Sequence, residues 1–208
     1  MTGFILKDLL TLRRYLKLIA LATVVFAVMA WYLDNAAVMS VMIAMQFAML
    51  PVTSFAYDQQ ARWEWFAQTL PVSRREIVAG KYVLSIVSVA AGTIIGIGLA
   101  SVVSLLKGEP ADPRDISLTG GFIIAASLFF LSVMIPLIFK FGVEKSRFMI
   151  WAVAGAAALI AVLMKLPVPD WLVKASPGAI LGAALIGAMA AMAVSFFASK
   201  AIYESRDL

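Results

Sequence analysis

Residues 57–81, YDQQARWEWFAQTLPVSRREIVAGK, form the longest polar stretch in a chain that is otherwise almost wholly apolar. They carry Arg62, Arg74, Arg75 and Lys81, the aromatic group Trp63–Trp65–Phe66, and a proline followed by a helix-start signal. Apolar runs of membrane-spanning length flank them on both sides. The stretch is therefore a water-facing loop between two spans, and the fold is read outward from it.

The chain has 208 residues, of which 63% are hydrophobic and 14% charged. Mean hydropathy is +0.97. Soluble domains sit nearer 45–50% apolar and 25% charged, so the fold class is an all-α membrane protein. The remaining loops are too short to build a separate core, which makes residues 1–208 a single transmembrane domain. Cysteine and histidine are both absent. That excludes disulfides, thiolate chemistry, the usual zinc sites and a histidine proton relay. The formal charge of +5 comes from basic residues beside apolar spans. It reads as membrane-flanking charge rather than a nucleic-acid surface.

A helix crossing about 30 Å of hydrocarbon at about 1.5 Å per residue needs about 20 apolar residues. Six segments qualify: Leu16–Leu33, Ala36–Ala56, Tyr82–Leu106, Ile116–Phe139, Phe148–Met164 and Pro177–Ala198. Their sole charged residue is Lys17, at the start of the first, and Asp34–Asn35 joins the first two as a tight hairpin. Six spans put both termini on one side. That side holds 13 of the 17 lysines and arginines, so the positive-inside rule places both termini in the cytoplasm of a multi-pass protein. Ala27–Ala30 matches a signal cleavage site poorly, so the first span is retained.

In the leader, residues 1–15, Ile5, Leu9 and Leu12 continue to Leu16 at helical spacing, with Lys7, Thr11 and Arg14 on another sector. This predicts an interfacial helix that buries the first set in lipid and shows the second to anionic headgroups. Gly92 with Gly96, and Gly178 with Gly182, form GxxxG pairs suited to close helix packing. Pro136 predicts a bend in the fourth span. Gln46 is the most polar side chain deep in a span and is expected to bond a neighbouring helix. Residues 165–176, with two prolines and Trp171, suit a small interfacial element.

Ion-coupled carriers and pumps keep ionisable groups near the midplane, and here the carboxylates lie at span ends or in loops. An intramembrane hydrolase needs a nucleophile with a base, a carboxylate pair or a metal; the spans hold serines but no histidine, and their one lysine, Lys17, sits at the edge of the first. No GxxxxGK[ST] occurs, so the chain binds no nucleotide through a P-loop. The expectation is a non-enzyme with no cofactor of its own.

Within residues 57–81, Asp58 is positioned to cap a short helix over about Gln59–Gln68. Leu70–Pro71 ends that helix, because proline disfavours a helical residue before it. Ser73 and Glu76 then form an S-x-x-E capping box that starts the next helix. Helix, break, helix presents an aromatic rod at the cytoplasmic face. Spacing alone leaves open whether Trp63, Trp65 and Phe66 touch lipid or a protein.

The six-span layout and the run FAYDQQARWEWFAQTLPVSRREIVAGKY resemble the permease subunits of type-2 ABC transporters. They are most similar to small bacterial permeases that include exporters of phenol-soluble modulin peptides. The likeness rests on Tyr57–Asp58, on Leu70–Pro71–Val72–Ser73–Arg74, on Ile77–Val78 and on Lys81–Tyr82. It implies a bacterial cytoplasmic-membrane exporter of amphipathic peptides or other hydrophobic cargo. It also implies a second permease copy or sister permease, and separate cytosolic ABC ATPase subunits that carry ATP and Mg. Asp58–Leu70 would be the coupling helix, with Trp63 and Phe66 as anchors in the ATPase and Arg62 and Glu64 at the rim. Arg74 and Arg75 would meet ATPase carboxylates or lipid phosphates. A scaffold or sensor whose loop recruits another cytosolic protein is the alternative.

Overall fold

The computed structural model describes residues 2–33, 35–67, 73–108, 112–163 and 175–205. All regular structure among them is helical. The helices are α1 (Thr2–Leu33), α2 (Ala36–Ala48), α3 (Leu50–Gln60), α4 (Trp63–Ala67), α5 (Arg74–Leu106), α6 (Pro113–Phe141), α7 (Val143–Leu163) and α8 (Pro177–Glu204). Five stretches are long and apolar enough to cross a membrane: Tyr15–Tyr32, Ala37–Gln60, Arg74–Leu106, Pro113–Phe141 and Pro177–Glu204. The expected fifth span is helical as α7 through Leu163. The interfacial element expected over residues 165–176 lies outside the described residues except for its last two.

Local chemistry sets the boundaries. Asn35 starts α2 by accepting the Val38 N–H at 3.2 Å. Asp112 and Ser176 cap α6 and α8, each followed by a proline whose missing N–H costs nothing at that position. Gly142 ends α6 with φ 85°, a conformation that favours glycine. Pro51, in the first turn of α3, has no N–H to continue the ladder from α2. The second span is accordingly broken at Met49. That break has no counterpart at Pro136, through which α6 is continuous.

The leader differs from expectation. No break separates it from the first span, because α1 runs unbroken from Thr2 to Leu33. Leu12 is buried against Leu50 and Leu84 rather than in lipid. Lys7 is ion-paired within the protein. The side chains of Ile5, Leu9 and Arg14 lie outside the described set, and Leu16 is exposed.

Packing is tightest between α6 and α8 and between α2 and α5. Lipid supplies no hydrophobic drive for such pairing, so close backbone approach and polar links must supply it. At the α2–α5 contact, a Cβ on Gly92 would come within 2.4 Å of the Phe47 Cβ, and one on Gly96 within 2.8 Å of the Ser40 carbonyl oxygen. Gly178 and Gly182 are different: among the described residues, no atom outside their own helix backbone lies within 4 Å of such a Cβ. Gln46 donates from Nε2 to the Ile19 carbonyl at 3.2 Å and ties α2 to α1. At the far end of α1, Lys107 donates to the Trp31 carbonyl at 2.7 Å, one of the orphan acceptors of a helix C-terminus.

Candidate functional site

The elbow between α3 and α5 is built on a rod anchored from four directions. α3 ends at Gln60, and Arg62 takes φ 50°. A non-glycine residue there costs of order 1–3 kcal/mol and is held only by its surroundings. The chain turns at Arg62 and re-enters helix as α4.

Asp58 does not cap a new helix. It lies inside the last turn of α3, and its carboxylate faces two lysines from distant parts of the chain. Lys7 reaches Asp58 Oδ1 at 2.6 Å and Lys81 reaches Oδ2 at 2.5 Å. Asp8 completes the group, 3.0 Å from Lys7 and 3.1 Å from Lys81. Lys81 also donates to Ser54 Oγ at 2.7 Å and lies over the Phe55 ring. Asp8, Asp58, Lys81 and Ser54 are all buried. Two cations and two anions cancel, and each ammonium meets both carboxylates. Alternating charge and full hydrogen bonding are what make ionic groups tolerable away from water. A single N-cap contributes about 1 kcal/mol, so two opposed lysines outweigh the expected capping role of Asp58.

Further links radiate from this quartet. Gln59 Oε1 accepts the Val143 N–H at 3.2 Å, tying the elbow to the start of α7. Phe55 meets Phe139 edge-on with ring centroids 5.0 Å apart, and Phe139 meets Tyr203 at 5.5 Å. These rings join α3, α6 and α8. Arg74 donates to the Glu204 carbonyl at 2.8 Å, at the C-terminal end of α8 where cations are favoured. This guanidinium is thus engaged inside the chain, where expectation had given it to an ATPase or to lipid. Arg75 is exposed. Through these links the leader, residues 57–67 and 73–81, the α6–α7 turn and the end of α8 gather at one end of the bundle.

The capping box at Ser73 and Glu76 forms as expected. Glu76 N–H donates to Ser73 Oγ at 3.3 Å, and Ser73 N–H returns the bond to Glu76 at 3.0 Å. Glu76 precedes the apolar run that begins at Tyr82. Its carboxyl is held below the ordinary carboxylate range, first by the Ser73 backbone N–H and then by the Ser73 hydroxyl.

α4 exposes its aromatics unequally. Trp63 is partly buried, with Lys7 4.2 Å from its ring centroid and Phe66 stacked at 5.3 Å. Trp65 and Phe66 point outward, 65% and 55% exposed. Beside them a 310 Å³ cleft is bordered by Asp58, Gln59, Arg62 and Trp65. The outward pair is therefore Trp65 with Phe66, while the expected anchor Trp63 turns toward the quartet. Glu64's side chain, Leu70 and Pro71 lie outside the described residues.

Sequence reading missed Asp8, Lys7 as a partner, Ser54 and Gln59. One signal was present. Asp8 is the sole carboxylate in a leader whose other charges are basic, and a buried partner is one reason for a residue to break such a pattern. No group of three or more potential metal ligands occurs among the described residues.

A family model described as ABC-2 family transporter protein matches residues 3–204. Among curated proteins none matches the chain. With helices of membrane-spanning length and an elbow that ties them together at one end, the chain belongs to the ABC-2 family of transporter proteins and is the permease subunit of an ABC transporter.

Proposed function

We propose that this permease is the membrane half of an ATP-driven exporter for amphipathic peptides or other hydrophobic cargo, driven through the elbow at residues 57–81. In this reading six spans cross the membrane, with α7 as the fifth, and the lysine and arginine distribution supports both termini and the elbow being cytosolic. A second copy or sister permease completes the pathway, and separate ABC ATPases supply ATP and Mg. Trp65 and Phe66 are the anchors for the ATPase, and Arg62 and Arg75 lie on the rim.

The observation that carries this reading is the pairing of an outward aromatic tip on α4 with an inward ionic anchor in the adjoining last turn of α3. A push on Trp65 and Phe66 reaches α1 and α5 through Asp58 and reaches α7 through Gln59. Buried aromatic anchors dominate most protein interfaces. A conformational change follows ATP only if the closed ATPase pair binds the two permease states unequally, and a rod locked to several spans transmits that difference.

Co-purification with the cognate ATPase tests it. Trp65→Ala with Phe66→Ala is expected to weaken assembly at least tenfold, as loss of two hot-spot aromatics should, with membrane insertion intact. Unchanged assembly and unchanged ATPase stimulation would remove the elbow from the mechanism.

A further inference from the structure

Arg147 is an exposed cation of α7 that the elbow does not use. Arg147, one turn into α7, has no carboxylate partner among the described residues and is exposed. It stands where two cavities meet. One is a 490 Å³ polar cleft at the elbow end, bordered by Gln59, Gln60, Glu144 and Lys145 as well as Arg147. The other is a 270 Å³ pocket that shares Arg147 and is otherwise largely apolar, walled by Met49, Phe130, Met134 and Ile150. Arg147 is their common wall, and the polar cleft by itself falls within the usual size of ligand sites, about 300–1,000 Å³.

Depth and chemistry agree. Tyr15, which lines the pocket, is the first residue of the first apolar span. Trp151, also on the rim and 71% exposed, lies one turn beyond Arg147. Tyrosine and tryptophan prefer the headgroup level. Below them the walls include two methionines, whose flexible thioethers fit irregular apolar chains. A charged head would meet one carboxylate, Glu144, and two cations, Lys145 and Arg147.

We propose that the paired cavity binds an amphiphile with one anionic head, taken laterally from the leaflet at the elbow end. A phosphodiester or carboxylate head sits against Arg147 in the polar cleft, and a flexible apolar tail fills the methionine-walled pocket. Thr53 of α3 lines that pocket, so the occupant touches the same rod that carries Asp58 and leads into the elbow. That the amphiphile is cargo rests on the exporter reading; that it binds does not.

The test uses the full chain without any ATPase, in phosphatidylcholine bilayers holding traces of chain-spin-labelled phosphatidylglycerol or phosphatidylcholine. The expected result is a protein-restricted population that prefers the anionic label. Arg147→Gln, at an exposed position, should lower that preference about fivefold, the effect of one basic residue beside an anionic surface. Lys200→Gln at the same end should leave it in place, and Ile150→Trp should fill the pocket and reduce the restricted anionic label. Equal loss in the Arg147 and Lys200 variants, or none in Arg147→Gln, would overturn the site. Displacement by millimolar inorganic phosphate would also overturn it, since the bare anion would then suffice. Stimulation of the assembled transporter by the same lipid, lost in Arg147→Gln, is the separate arm. Its absence with binding intact would sink the role as cargo alone.

Discussion

Replacing Lys81 by methionine keeps the bulk of the side chain and deletes its charge from the quartet. Lys81 contacts Asp8, Asp58 and Ser54, and its side chain is 7% exposed. Without it, two carboxylates share Lys7 alone. The charge balance of the group falls from zero to minus one in a site where Asp8 is 4% exposed. Removing one partner of a buried ion pair costs about 3–5 kcal/mol. For a soluble chain of this length 1 kcal/mol moves Tm by about 2–4 °C, so a drop of order 10 °C is expected. Adding Asp8→Asn restores neutrality as a Lys7–Asp58 pair and should recover more than half of the loss. Non-additivity of this kind is the signature of groups in direct contact. The assay is thermal unfolding of the purified chain in one fixed detergent, for the wild type, both single variants and the double. A Lys81→Met protein within about 1 kcal/mol of the wild type would refute the account. So would a double variant no more stable than Lys81→Met.

Two further outcomes follow from packing and from titration. Gly96→Ala should destabilise by about 1–3 kcal/mol, because its methyl group meets a backbone carbonyl at 2.8 Å and helices must part; Gly182→Ala, with no atom within 4 Å, should leave the unfolding of the isolated chain unchanged or slightly improved. Glu76 has a folded-state carboxyl below its ordinary value of 4.5. Its stabilisation is therefore complete above that value and lost as pH falls through the lower folded one. Amide exchange in the first turn of α5, corrected for intrinsic rate, should speed up at acid pH in the wild type, and Ser73→Ala should remove that dependence.

The parts of this protein legible in its sequence are those governed by near neighbours. Ser73 and Glu76 lie three residues apart, so their capping box needs nothing beyond its own turn. Gln46, too polar for its surroundings, had to find a partner, although only the structure names the Ile19 carbonyl. Asp58 was misread because its local context, a carboxylate before a polar run, matches a cap. Its actual partners arrive from Lys7, 51 residues earlier in the chain, and from Lys81. Trp63 and Trp65 are two positions apart and indistinguishable by composition. Which one faces outward depends on the turn at Arg62 and on where Lys7 lies.

Composition alone determined that this chain lives in a membrane, because long apolar helical stretches satisfy every backbone group without water and leave few other environments open. It also determined which segments carry polar work, since charge is too costly to scatter through hydrocarbon. Tertiary structure alone decided that Asp8 and Lys81, 73 residues apart, become a buried pair. It likewise decided that Gly92 and Gly96 are pressed against α2 while a Cβ on Gly178 or Gly182 would meet no other described element within 4 Å. Hydropathy records how far each residue avoids water, a property of one side chain. Pairing depends on the positions of two helices at once, and no periodicity within either helix encodes it.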